Sequence, residues 1–434
     1  MRREQVEIKK LGINGEGIGY INKKICFIQG ALPNEIVDVE IIDENHKFLK
    51  GRVRRYIKIS PLREKSFCHE DKYCQGCALT ALIYSQHGDY KKGIVKDALK
   101  KYTEYDVESL PVKKTITAKT QKGYRHVVEL PVAYFKGKVN VGIYQRESKY
   151  LTLMNQCLMQ DPLINQCLQK IEDILNEHNV RDYHDKFKKG LRFLKMRNID
   201  GQIQVVFVTG QDGLKEEVTK EIAQIPEIKS LFLTINTTRY QDFEKQGYKK
   251  IYGESHMAYQ YENQQYLYSV KSEFPMNPEM ENTKLNIIRS FIPCQAQVLS
   301  LNCGIGLMEL SMNNEIIAID EKNYHIQDAK NNAKFLRKNN VTFLCKNVNE
   351  AVILQCKKIR FDVVVVRNME LTAPIQQSLI LSKVKDVIFV SDHPSTIAKG
   401  IEDLRNYYDV ESIIPLDMYP YTAKVETIVK LHRK

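Results

Sequence analysis

No stretch of this 434-residue chain approaches the roughly 18 consecutive apolar residues that a membrane-spanning helix needs. The opening MRREQVEIKK carries charge with no apolar core behind it, so a secretory leader is not expected either. Internal repeats and low-complexity tracts are absent, which argues against a repeat architecture. Acidic residues are in deficit: 53 Asp and Glu face 65 Lys and Arg, for a formal charge of +12 and a pI of about 9.0. That balance suits a polyanion, with nucleic acid as the leading class. The ordinary alternative is a soluble, Lys-rich surface with no such partner. The expectation is a soluble, cytoplasmic protein.

The chain is too long for one ordinary hydrophobic core, so two or three domains are expected of its globular composition, 43% hydrophobic. Ten cysteines in a long chain without a leader read as thiols or metal ligands rather than disulfides.

Residues 4–58 alternate apolar and polar positions in short bursts (VEIKKL, ICFIQG, EIVDVEII, GRVRRYIKI), broken by GINGEGIGY and ALPNE. This predicts a small barrel of short strands. Its last strand carries Lys50, Arg52, Arg54 and Arg55, preceded by His46 and Lys47, so one end is strongly basic. A phosphate-binding end and a solvated strand face both fit. The stretch YSQHGDYKKGIVKDALKKYTEY has helical spacing with a basic side. Residues 115–270 mix strands (VVELPVAYF, KVNVGIYQ, IQVVFVTG, SLFLTINT) with two helix-like runs, an α+β pattern of RNA-recognition type. From about Lys284, strands alternate with helices, which predicts a parallel sheet covered on both faces. The expected divisions are 1–58 for the barrel, 59–283 for the cysteine loop and central α+β domain, and 284–434 for the α/β domain. The helix at 84–103 is a candidate to pack on that last domain.

Cys68, Cys74 and Cys77 form C-x5-C-x2-C in a turn-rich loop, and Gly76 lets the backbone fold around what the sulfurs hold. Three thiolates need a fourth ligand, and Cys157 in LMNQCLMQDP is the best candidate. Soft sulfur donors suit zinc and iron-sulfur equally.

The order of basic barrel, C-x5-C-x2-C, distant fourth cysteine and C-terminal α/β domain resembles the RNA uracil-5-methyltransferase family. Its nearest branch is the one acting on large-subunit ribosomal RNA, with an N-terminal TRAM domain and a 4Fe-4S cluster. Further echoes are GEGIGY, YRH at 124–126, GIYQRES at 142–148, NCGIG at 302–306 and DMYPYTAKVET at 417–427. The resemblance implies an OB-like TRAM barrel, a central α+β domain with the cluster, and a Rossmann-like methyltransferase domain. It further implies that Cys68, Cys74, Cys77 and Cys157 hold iron-sulfur.

VLSLNCGIGLMEL reads as strand, glycine turn and helix, a geometry that lets a backbone approach a nucleotide-like cofactor. Asp320 closes the next strand, where a carboxylate can bind ribose hydroxyls. Cys303, Gly304, Gly306, Asp320 and Asn347 are therefore the candidate S-adenosylmethionine positions implied by the resemblance. Three positions depart from the family: Ser300 replaces an acid, Asn347 stands for the aspartate facing adenine, and Pro275 replaces a glutamine. Three missing hydrogen bonds, at about 0.5 to 1.5 kcal/mol each, would remove much of the cofactor affinity.

Methylation at carbon 5 of uracil needs a thiolate that adds reversibly at carbon 6. The family motif S-C-N-P-x-T-x-A-R-D reads here as Ser391, Asp392, His393, Pro394, Ser395, Thr396, Ile397, Ala398, Lys399, Gly400, so Asp392 stands at the nucleophile's place. The family's D-P-P-R is Arg367, Asn368, Met369, Glu370. Glu426 matches the general base, while the histidine two residues earlier is Lys424. Cys294, Cys303, Cys345 and Cys356 lack a suitable turn to replace the lost thiol. The expected function is a monomeric, ribosomal-RNA-binding protein with disabled chemistry, a pseudoenzyme. Phosphates would meet Lys47, Arg52, Arg54, Arg55 and Arg125, and Tyr124 and Tyr144 are candidates for base stacking. The alternatives are an active RNA methyltransferase with altered chemistry and a redox sensor acting through the cysteines.

Overall fold

The computed structural model describes residues 2–71, 73–74, 76–145, 151–154, 156–238 and 247–434. Of the GIYQRES stretch, residues 146–148 lie outside the described residues. Two compact units emerge: Met1–Lys119 with Asn368–Leu371 and Asp386–Lys434, and Thr120–Arg367 with Thr372–Lys385.

The first unit begins with the barrel: β1 (Arg3–Glu7), β2 (Lys10–Leu11), β3 (Gly17–Ile21), β4 (Lys24–Gln29), β5 (Ile36–Glu44) and β6 (Phe48–Lys58), in the order β1-β5-β6-β4-β3-β2. Alternation drives its closure, because Val6, Ile8, Ile28, Val37, Val39 and Leu49 all point into one core. Along β6, Leu49 and Gly51 are buried while Lys50, Arg52 and Arg54 are exposed. The helix α1 (His87–Tyr102) follows.

In the second unit, β7 (Val127–Phe135), β8 (Lys138–Tyr144), β9 (Leu151–Leu153), β10 (Leu191–Ile199), β11 (Gln202–Thr209), β12 (Ile228–Ile235) and β13 (Lys249–Gly253) form one sheet, ordered β13-β12-β11-β10-β7-β8-β9. Helix α2 (Pro162–Glu177) buries Ile164, Cys167, Leu168, Ile171 and Leu175, a 3-4 spacing that makes one apolar face. Asp161 caps it by accepting from the amides of Leu163 and Ile164. Helix α3 (Glu216–Ile222) and the hairpin β14 (His256–Tyr261) and β15 (Gln264–Ser269) follow, then α4 (Pro278–Ser290), capped by Asn277.

The α/β alternation then starts. Strands β16 (Val298–Leu301), β17 (Ile316–Asp320), β18 (Val341–Cys345) and β19 (Val363–Arg367) pair in parallel, with β16 between β17 and β19. Helices α5 (Leu307–Leu310), α6 (Asn323–Phe335) and α7 (Val348–Lys358) connect them, and α8 (Ala373–Leu381) follows. Every residue of β16 and β19 is buried, as expected for strands covered on both faces. The chain ends in the first unit with β20 (Asp386–Ser391), α9 (Pro394–Leu404), β21 (Tyr408–Leu416) and β22 (Glu426–Arg433); β22 pairs antiparallel with both β20 and β21. Within this unit α1 faces α9, where the Lys399 ammonium lies 5.4 Å from the Tyr102 ring centre. The architecture is thus a strand-rich N-terminal barrel, a central α+β sheet and a Rossmann-like α/β fold. Among the described residues, no helix is long and apolar enough to cross a membrane.

Candidate active site

The crevice in the second unit is built by the turn after β16. Asn302, Gly304 and Gly306 all take positive φ (62°, 60° and 76°), which swings the chain sharply from strand into α5. A Cβ at Gly306 would lie 2.5 Å from Cζ of Phe343, so only glycine fits there, whereas a Cβ at Gly304 would meet nothing within 4 Å. The open side at Gly304 is where a nucleoside could approach. Because the strand order reverses at β16, this is also the position where α/β sheets place ligands.

The polar groups around that turn bond to one another. The Asp320 carboxylate accepts from the backbone amides of Gly304 at 2.9 Å and Lys322 at 2.8 Å, and its other contact is the His325 ring at 3.2 Å. His325 also meets Glu273 at 3.0 Å, and Glu273 pairs with Lys322. Burial works against the imidazolium, but its bonds to Asp320 and Glu273 outweigh that and push His325 up to about 9. The same bond to His325 holds Glu273 down, to about 2. Burial opposes ionisation of Asp320 as well, yet His325 keeps its carboxyl below the usual range. The carboxylate expected to receive ribose hydroxyls is held by the chain's own donors.

A second internal network spans β16, α5 and β19. Ser300 donates to Glu309 at 2.6 Å, and Arg367 reaches the same oxygen at 2.6 Å. Glu309 is fully buried. The Asn302 amide donates to the Arg367 carbonyl at 3.0 Å. The acid missing at position 300 is thus replaced nine residues later on the helix, and the arginine at the head of the lost D-P-P-R motif is drawn inward to it. Asn347 caps α7 through the Glu350 amide and donates to Glu321 at 2.9 Å. Cys303 is buried, and that burial pushes its thiol well above the ordinary value, so it is not a reactive sulfur. The glycine turn and Asp320 fit the frame of an S-adenosylmethionine site, and the polar side chains around it bond to one another.

In the first unit, β20 ends at Ser391 and α9 starts at Pro394, so Asp392 and His393 form the turn. The Asp392 side chain is about half exposed, with Oδ1 3.6 Å from His393 Nδ1. Ser391 lies opposite Thr427 in β22. Asp392 thus directly follows the residue that faces Thr427, and Glu426, which is buried, directly precedes Thr427. The loop before β22 is anchored by the fully buried pair of Lys91 and Asp417, with Tyr84 donating to Asp417 at 2.9 Å. Burial lowers Lys91 even though Asp417 opposes the shift.

Cys68, Cys74 and Cys77 are half-buried in the loop ahead of α1, and Cys157 is half-buried on the turn before α2. None forms a disulfide. Among the described residues, the one group of three donors gathered within 4.8 Å is Asp386, Glu411 and His432, not the cysteines.

Lys47, Arg52, Arg54 and Arg55 are exposed on the barrel, Arg54 pairing with Glu40. Tyr124, a candidate for base stacking, is instead 2% exposed and belongs to the core. Arg125 is partly buried, its guanidinium 5.8 Å from the Tyr124 ring centre, and Tyr144 is half exposed. His325, Glu273 and Glu309 were not legible as site residues. A histidine in the first turn after Asp320 is the sole local signal, since Glu273 and Arg367 join their partners only through packing.

Known proteins bear on this arrangement. Residues 2–53 match the TRAM domain family. An uncharacterized RNA methyltransferase of Bacillus cereus is 30% identical over 99% of this chain and 96% of its own length. This chain belongs to the RNA methyltransferase family. An Enterococcus faecalis relative of the same description is 28% identical, over 99% of this chain and 97% of the relative. Among solved structures, a Pyrococcus abyssi tRNA (uracil-54, C5)-methyltransferase in complex with S-adenosyl-L-homocysteine is similar with a TM-score of 0.77 at 18% identity. That match covers 99% of this chain and 100% of the other. The fold of this family member is therefore that of the uracil-5-methyltransferases.

Proposed function

We propose that this member of the RNA methyltransferase family binds RNA, with ribosomal RNA as its target, and does not form 5-methyluridine. The observation that carries the reading is the turn after β20, where Asp392 stands half exposed directly after the residue that faces Thr427. An aspartate lacks the soft, easily expelled sulfur that addition to carbon 6 requires. The internal bonding of Asp320 and the turn of Arg367 toward Glu309 support loss of methyl transfer. The TRAM match over residues 2–53 and the exposed basic row on β6 support RNA binding.

In this reading Cys68, Cys74, Cys77 and Cys157 hold a structural 4Fe-4S cluster, and the domains are 1–58, 59–283 and 284–434. The protein acts as a monomer in the cytoplasm. The test is filter binding to structured ribosomal RNA across a salt series, with labelled S-adenosylmethionine and 5-fluorouridine-substituted RNA in parallel. Salt-dependent binding without a covalent adduct or labelled product is expected. No preference for RNA over a neutral polymer would end the reading.

An active enzyme with altered chemistry is the second reading, favoured by the buried Glu426 and by the open space beside Gly304. Transfer of label to RNA at any atom other than carbon 5 of uridine decides for it.

A further inference from the structure

We propose that the β7–β8 hairpin and the loop at 181–190 form a second contact surface for single-stranded RNA, distinct from the barrel. The proposal rests on the RNA-binding reading and adds a place to it. Phe135 and Phe187 are 56% and 62% exposed, unusual for phenylalanine, and each has a lysine beside its ring. Lys136 Nζ lies 5.4 Å from the Phe135 ring centre and Lys186 Nζ 5.8 Å from that of Phe187. Arg181 stacks 4.1 Å above Tyr134, and the His184 ring lies 4.6 Å from Phe187. Flat rings and cations side by side are the elements that hold unpaired bases and their phosphates.

The loop is built, not slack. Asp182 accepts the Tyr134 amide at 3.0 Å, tying the loop to the hairpin. The amides of His184 and Lys188 bond to the carbonyls of Lys189 and His184, both at 2.8 Å. Gly190 takes φ 101°, and a Cβ there would fall 2.1 Å from the Asp182 carbonyl oxygen, so the closure requires glycine. Phe187 is thus presented by a fixed turn. A ring held in water this way gains nothing from the fold that carries it.

Charge decides what the surface accepts. In the hairpin turn at 134–138 and the loop at 181–190, Lys136, Lys138, Arg181, Lys186, Lys188 and Lys189 stand with only Asp182 and Asp185, six cations to two anions. Both anions are engaged, Asp182 with the backbone and Asp185 with Lys188 at 2.6 Å. A second copy of the chain would bring like charge to this face, whereas a phosphate backbone brings the opposite. The hairpin turn stands at the far end of β7 from Arg125, nine strand residues or about 30 Å away, so a strand of RNA reaching both is extended.

The test compares wild type, Phe187→Ala, Phe187→Tyr and the triple change Lys186→Gln, Lys188→Gln, Lys189→Gln in filter binding to a single-stranded RNA oligonucleotide from 50 to 200 mM salt. Phe187→Ala is expected to weaken binding about tenfold, with Phe187→Tyr near wild type, since stacking is worth about 1–3 kcal/mol per base. The triple change should reduce the slope of log K against log salt by about 2, near 0.7 for each lost phosphate contact. Thermal melts confirm folding, since all the substituted side chains are on the surface. If wild type binds and Phe187→Ala and the triple change both match it in affinity and slope, this surface is not used, although the RNA-binding reading stands. Altered self-association in sedimentation with unchanged RNA affinity overturns it equally. If wild type itself fails to bind RNA, the underlying reading falls instead.

Discussion

Replacing His325 with glutamine should remove a pH-dependent part of the stability of the α/β crevice. In the folded protein His325 is clamped between Asp320 and Glu273, its side chain 7% exposed, and its pKa is pushed from 6.5 up to about 9. A raised pKa stabilises the fold fully below pH 6.5, where both states are protonated, and that contribution is lost as pH rises through 9. Moving from 6.5 to about 9 corresponds to about 3 kcal/mol of stability, at about 1.36 kcal/mol for each tenfold change in proton affinity. Glu273 is more than half exposed and shares the same bond. With a urea slope near the top of the usual range of about 1–3 kcal/mol per molar, the wild-type midpoint should fall by about 1 M between pH 6 and pH 9.5. His325→Gln should be lower than wild type at pH 6 and nearly flat across the same window. The chain has no tryptophan, so far-ultraviolet circular dichroism is the signal to follow. Parallel pH dependences in the two proteins would refute the clamped imidazolium.

Other outcomes follow from the same geometry. Asp392→Cys alone should restore no labelled 5-methyluridine, because Asp320 and Arg367 remain bonded internally; product in a methyl-transfer assay would show an intact cofactor crevice. Arg367→Met strands the buried Glu309 carboxylate and should cost about 3–5 kcal/mol by urea denaturation, whereas Arg367→Met with Glu309→Leu should recover most of it. Lys91→Met leaves Asp417 buried without its cation and should destabilise by a similar amount, measurable as a lower melting temperature. Anaerobically purified protein should contain iron and acid-labile sulfide, and Cys157→Ser should reduce both in chemical analysis.

Much of the fold was legible in local patterns. Alternation over 4–58 gave the barrel, and uninterrupted apolar runs such as FDVVVV gave buried parallel strands, because side-chain period and burial are properties of neighbouring residues. Tyr124 shows where that logic stops: YRH marked a motif, but only packing revealed the ring as core. The role of Arg367 was half legible, a lost motif without a partner, since Glu309 sits on a different element. Glu273 and His325 carried no signal at all as a pair.

The sequence by itself determined the strand-rich N-terminal barrel, the strand-helix alternation after Lys284 and the glycine turn after β16, each fixed by residue type and short spacing. The tertiary structure alone decided that the crevice bonds to itself, because Glu273 meets His325, and Arg367 meets Glu309, only when sheet and helices bring separate segments together. Ion pairs depend on distance in space and on exclusion of water, and neither is written in the linear chain.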